Sequence, residues 1–132
     1  MFDVNLANQI YAGSDIFLMP SRFEPCGLGQ MISMRYGTVP LVRETGGLKD
    51  TVPRLSEKEQ GAKKVNTIKA KGFSFKKLSA EILYKELKRS IDVYNNNKSV
   101  WNKIQVNGMK EDFSWDNSAK KYLNLYKKII KK

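Results

Sequence analysis

At 132 residues with 41% hydrophobic content, the chain can bury one core and is too apolar for a disordered segment, while one cysteine and no histidine exclude an internal disulfide, a Cys/His metal site and histidine acid–base chemistry. The net charge of +11 invites a nucleic-acid reading, but residues 1–50 hold four basic and five acidic side chains, against twenty and eight in residues 51–132. No apolar run is long enough for a membrane span and no leader pattern opens the chain, so a soluble, cytoplasmic protein without a membrane partner is expected.

Residues 3–13 place Leu6, Ile10 and Tyr11 at helical spacing and end on Gly13, a residue suited to a C-cap. Ile16-Phe17-Leu18-Met19, apolar without alternation and closed by Pro20, is the pattern of a strand in the middle of a parallel sheet covered by helices. A helix is expected from Leu28 to Tyr36, turning Leu28, Met31, Ile32 and Tyr36 toward the sheet and stopping at Gly37. Val39-Pro40-Leu41-Val42 is the next parallel strand, with Pro40 tolerated near its start. Residues 50–71, with Pro53, Gly61 and many lysines, suggest an irregular excursion before the short extended piece Gly72-Phe73-Ser74-Phe75.

Three helices complete the pattern. Ser79 is a candidate N-cap for a helix carrying Ile82, Leu83, Leu87, Ile91 and Tyr94, ended by Asn95-Asn96-Asn97. Ser99 to Met109 offers Trp101, Ile104 and Met109 for packing. Ser114 caps the last helix, whose stripe of Trp115, Ala119, Tyr122, Tyr126, Ile129 and Ile130 is expected in the core. About two and a half strands is too few for a doubly wound domain, so the inventory suits the second half of one.

Chemistry concentrates between the first strand and the helix after it, in Ser21-Arg22-Phe23-Glu24-Pro25-Cys26-Gly27-Leu28-Gly29-Gln30. Loops at the carboxyl ends of parallel strands are where open α/β sheets bind ligands, and the start of a helix offers free N–H groups to phosphate. Arg43-Glu44-Thr45-Gly46-Gly47-Leu48 forms a second glycine turn at the same end of the sheet. On the residues alone, Glu24 is either a site carboxylate or a cap and ion-pair partner of Arg22. Cys26 suits a small buried filler better than a nucleophile. Arg22 and Arg43 suit phosphate contacts or structural pairing equally. The lysines of 58–77 and Lys120, Lys121, Lys127, Lys128, Lys131 and Lys132 lack an aromatic platform or nucleic-acid motif; they read as solvated faces, and nucleic acid is not expected as a partner.

Phe2-Asp3, Tyr11-Ala12-Gly13-Ser14-Asp15, the run Phe17 to Leu28, Thr45-Gly46-Gly47-Leu48 with Asp50, Gly72 to Phe75, and Asp112-Phe113-Ser114-Trp115-Asp116 together resemble the bacterial glycogen synthase and plant starch synthase family. The resemblance covers essentially the whole chain, in order. It implies an α/β fold: a partial Rossmann-like, doubly wound parallel sheet, the second half of the C-terminal domain of a GT-B fold, with C-terminal helices. Residues 1–113 are then part of the nucleotide-sugar-binding domain and residues 114–132 its closing helix. The implied activity is retaining transfer of glucose from ADP-glucose to the non-reducing end of an α-1,4-glucan, without cofactor or metal.

Carried over by position, Phe2 matches the aromatic that stacks on the nucleobase and Glu24 the active-site glutamate beside the donor glucose. Cys26, Gly27, Leu28 and Gly29 match the loop around sugar and diphosphate, with Thr45, Gly46 and Gly47 as second-loop contributors. Two positions depart from the wider pattern. Related retaining enzymes carry a second glutamate eight residues after the first, where this chain has Ile32, although this family commonly lacks it; and many members have threonine at Gly29. The family's phosphate-binding arginine and lysine lie upstream of Phe2, as does its glucan-binding N-terminal domain. The expectation is therefore part of a donor site, catalytically negligible by itself, with a glucan acceptor engaged only alongside that domain.

Overall fold

A computed structural model describes residues 3–62 and 64–130. Its centre is a three-stranded parallel sheet in the order β1 (Ile16–Met19), β2 (Val39–Arg43), β3 (Phe73–Phe75). Ile16 faces Val39 across the first pairing and Leu41 faces Phe73 across the second. Alternation along β2 and β3 sends Val39, Leu41, Phe73 and Phe75 to one face and Val42 to the other.

The first face is covered by α5 (Ala80–Asn96) and α6 (Lys98–Met109). Val93, Val100, Trp101 and Ile104 complete this cluster, with the indole stacked 6.1 Å from Phe73 and the Tyr94 ring edge-on to it at 5.1 Å. The second face is covered by α2 (Gly29–Arg35) and α3 (Gly46–Thr51), which bury Met34, Leu48 and Val52 against Val42. Helices on both faces of a parallel sheet realise the expected doubly wound arrangement.

Four expectations change. β1 is an edge strand with Leu18 exposed, not a central one; β2, buried at Val39 through Val42, holds the middle. Its apolar character marks a strand prepared for cover, which the elements on this side do not supply. The buried face of α2 is Gln30, Ser33 and Met34, whereas Leu28, Ile32 and Tyr36 point outward. Polar residues can line that face because Ser33 donates locally to the Gln30 carbonyl and Gln30 to the loop before the helix. Gly13 ends α1 (Val4–Gly13) without a left-handed conformation, and Ser14 is the C-cap.

The fourth change is the largest. α7 (Trp115–Ile130) buries none of its side chains, so the stripe expected in the core lies on the surface of the described structure. Asp3 caps α1 through the Asn5 and Leu6 N–H groups, yet α1 also buries no residue.

The excursion over residues 50–71 is irregular but not peripheral. It contributes Leu55, Ile68 and Ala70 to the main cluster and carries a short helix α4 (Glu57–Gln60) with a capping box between Ser56 and Glu59. Burial pushes the Glu59 carboxyl upward, but the Ser56 and Lys69 N–H groups and the Ser56 hydroxyl together outweigh it and hold the pKa below the ordinary value.

Candidate functional site: two glycine turns at the carboxyl ends of the strands

The chain leaving β1 and the chain leaving β2 meet at the same end of the sheet. Gly46 adopts φ +47°, and a Cβ there would lie 1.9 Å from the Glu24 carbonyl oxygen; at Gly47 it would lie 2.4 Å from the Cys26 carbonyl. Only hydrogen side chains allow the two backbones this approach. The Gly47 N–H donates to the Pro25 carbonyl at 3.2 Å. Gly46 and Gly47 therefore serve first as the seat on which residues 24–26 rest.

Two side chains brace the first turn from below. Arg43, at the end of β2, donates through one guanidinium nitrogen to the Ser21 and Arg22 carbonyls at 3.2 and 3.1 Å. Gln30, fully buried, donates to the Cys26 and Gly27 carbonyls at 3.1 and 2.9 Å. Arg43 thus braces the first turn through backbone carbonyls and makes no ion pair among the described residues. Gln30 was not foreseen; the signal available was a polar residue at i, i+3, i+4 spacing with Ser33 and Met34.

Glu24 is half-buried, and among the described residues its carboxylate makes neither a hydrogen bond nor an ion pair. It does not pair with Arg22, and it does not cap α2, whose N-cap is Leu28 with no side-chain bond. The two structural alternatives for Glu24 thus fall away. Cys26 is exposed, with a free thiol, instead of filling the interior. Gly27 holds φ +72°, and neither its N–H nor that of Leu28 has a partner among the described residues.

Gly29 has a packing reason to lack a side chain. A Cβ there would stand 2.8 Å from the Phe17 ring and 3.3 Å from the Tyr11 hydroxyl, so the first turn of α2 sits directly on the Tyr11–Phe17 pair. Leu28 is 66% exposed and lines a cavity of about 800 Å³ with Ile32, Arg35, Met109 and Phe113. Thr45 is the N-cap residue of α3 and makes no side-chain cap bond. Phe2 lies outside the described residues.

Among the described residues no group of three His, Cys, Asp or Glu side chains gathers as a metal site, and no helix is long and apolar enough to cross a membrane. The arrangement is a free carboxylate and unpaired N–H groups on neighbouring residues of one braced turn. Such a turn can address a ligand carrying both hydroxyl groups and negative charge.

No family model matches the sequence. The chain is 51% identical over 131 residues to a glycogen synthase of Thermotoga maritima, covering 99% of this chain and 25% of that protein. It is 54% identical over 132 residues to a glycogen synthase of Petrotoga mobilis, again across 99% of this chain and 26% of the relative. Its structure superposes with a TM-score of 0.79 and 36% identity on the catalytic domain of starch synthase IV from Arabidopsis thaliana bound to ADP and acarbose, covering 100% of this chain and 26% of that one. A sucrose-phosphate synthase from Thermosynechococcus elongatus shares the fold at a TM-score of 0.65 and 22% identity. The three-stranded parallel sheet and its helices match part of these GT-B glycosyltransferase structures.

Proposed function

We propose, for a chain that belongs to the glycogen synthase family and spans about a quarter of the length of its relatives, that it supplies part of the donor site of a retaining glucosyltransferase. The donor is ADP-glucose and the acceptor the non-reducing end of an α-1,4-glucan. The observation that carries this reading is the match of the whole of this chain to 26% of a starch synthase catalytic domain bound to ADP and acarbose. In this reading residues 1–113 belong to the nucleotide-sugar-binding domain of a cytoplasmic enzyme and residues 114–132 form its closing helix.

The local chemistry supports it. Breaking the glucosyl–phosphate bond separates an oxocarbenium-like sugar from a diphosphate, so two opposite charges need stabilising. The unpaired Glu24 carboxylate orients sugar hydroxyls and favours the positive side. The free N–H groups of Gly27 and Leu28 address the diphosphate, which approaches closely because Gly27 has no Cβ. A double displacement needs a second carboxylate as nucleophile. The first turn, residues 21–30, holds no carboxylate besides Glu24, so front-face transfer assisted by the leaving phosphate fits better.

Charged side chains for the diphosphate come, in this reading, from the rest of a family protein, each charged hydrogen bond being worth about 1.5–3 kcal/mol. The chain alone is then expected to show negligible glucose incorporation into glycogen. Fused to the remaining three-quarters of a family member, it is expected to be active and to lose about 10²–10³-fold in turnover on Glu24→Gln. Robust activity of the chain alone, or indifference of the fusion to Glu24, overturns the reading. Calorimetry separates it from a polyanion-binding module. ADP binding that is insensitive to salt and abolished by Gly27→Val supports the donor site, whereas salt-steep RNA binding indifferent to Gly27 supports the module.

A further inference from the structure

Gln30 does more than brace one turn. Its two amide hydrogens are shared among three acceptors, the third being the Thr51 hydroxyl at 3.1 Å; that hydroxyl donates to the Gly47 carbonyl at 2.7 Å, and the Gly47 N–H returns to the Pro25 carbonyl. The bonds close a ring that runs from the first glycine turn through α2 and α3 to the second turn and back. Its members come from residues 25–30 and 47–51, two segments that α2 and β2 separate along the chain.

We propose that Gln30 is a positioning residue which, through Thr51, locks the two glycine turns into one unit, so that the Glu24–Gly27 face meets its ligand preorganised. The lock is argued from the described geometry; its bearing on ligand binding rests on the donor-site reading above. Three features single Gln30 out. It is wholly buried, in a position where an apolar residue would satisfy the helix equally well. Its amide nitrogen reaches three acceptors, two of them carbonyls of the same turn. Its Oε1 is buried without a partner and lies 2.6 Å from where a Cβ on residue 27 would stand, so the side chain is pressed against Gly27 itself. An unsatisfied buried oxygen carries a cost, which is accepted here for the sake of the donor side of the amide.

A fixed first turn matters because the N–H groups of Gly27 and Leu28 are useful to an anion only if they stay aimed at it; a loose turn must be ordered by each ligand that binds. Without the lock, the turns are joined by the Gly47–Pro25 bond and contact alone.

Amide hydrogen exchange read by NMR tests the lock without any ligand. Gln30→Met keeps the shape and removes the donors; Thr51→Val removes the hydroxyl. Each is expected to speed exchange of the Gly47 N–H about tenfold while Leu41 and Val42 in β2 keep their protection. The double variant is expected to add little to either single one, since both break the same ring. Thr51→Ser, which retains the hydroxyl, is expected to restore the Gly47 rate. Unchanged Gly47 exchange overturns the proposal, as does acceleration spread equally through β2, which marks general destabilisation.

Titration with ADP then separates the two readings. An affinity loss of about tenfold in Gln30→Met and Thr51→Val, absent in Thr51→Ser, supports the lock as a ligand-positioning device. If the wild-type chain fused to the remaining three-quarters of a family member binds no ADP while Gly47 exchange responds as expected, the lock stands and the donor-site reading fails. Equal ADP affinity in all variants overturns the positioning role.

Discussion

The β2–β3 half of the molecule and its periphery of β1, α1 and α7 are built from the same kinds of residue and end in opposite conditions. Phe73, Trp101 and Ile104 are sealed between sheet and helices, whereas Leu18, Ile10, Tyr122 and Ile129 carry equally regular apolar patterns into solvent. The difference lies in neighbours. β2 has a strand on each side and helices above and below; β1 has one strand, and α7 has no element burying its stripe in the described structure. An apolar periodicity prepares a face for burial, and packing alone decides whether burial happens. The two glycine turns sit on the boundary between these halves, rooted in β2 at one side and leaving the exposed β1 at the other.

Substitutions can break this contrast, and the largest effect belongs to the sealed half. Phe73→Ala removes a ring stacked on Trp101 and is expected to cost about 3–5 kcal/mol in urea unfolding. Against a typical stability of about 5–15 kcal/mol, that is a large share, enough at the lower end of the range to leave a visibly unfolded fraction. Tyr122→Ala in the same assay is expected to shift stability by less than about 0.5 kcal/mol, because the residue is half exposed and its aromatic neighbour is Trp115 of the same uncovered helix. Comparable losses at both positions would mean that α7 is covered in solution.

Glycines give a smaller contrast of opposite sign. Gly46→Ala drives a Cβ into the Glu24 carbonyl and forces an alanine to φ +47°, for an expected loss of about 1–3 kcal/mol together with displacement of the first turn. Gly13→Ala, with nothing within 4 Å of the new Cβ at the last residue of an exposed helix, is expected to stabilise by about 0.5–1 kcal/mol. Thermal denaturation of the two variants side by side reads both signs.

The smallest effect is pH-dependent and belongs to the excursion that joins the sheet to its cover. The Glu59 pKa is lower folded than unfolded, so its contribution is present above the unfolded value and fades as pH falls through the folded one. Glu59→Gln is therefore expected to lower the urea midpoint at about pH 7, with the gap to wild type narrowing as pH falls below the unfolded carboxylate range. A gap that persists at low pH would assign the effect to the lost capping geometry and not to charge.

How much of this was legible beforehand depends on the range of the interaction. β1 at Ile16–Met19 and the starts of the last three helices follow from local pattern, and the structure reproduces them to within a residue or two, with Ser79 at the N-cap position but without a side-chain cap bond and Asn97 as the cap of α6. Glu24 and the glycines around it stand out as a candidate turn because a carboxylate and flexible backbone at a strand end carry their chemistry locally. The brace was not. Nothing local to Arg43 says that it reaches the Ser21 and Arg22 carbonyls, and nothing local to Gln30 says that it reaches Thr51.

The amino-acid order by itself determined the three strands, the first two helices and the last three, their parallel succession, the turn that bears Glu24 and the membership in a family, since each rests on residues within a few positions of one another or on their order along the chain. Tertiary structure alone decided which strand is central, which face of α2 turns inward, that α7 stays uncovered, and that Gly46 and Gly47 seat the other turn. Those outcomes depend on contacts between segments distant in sequence, where the position of one backbone fixes the space left for the next.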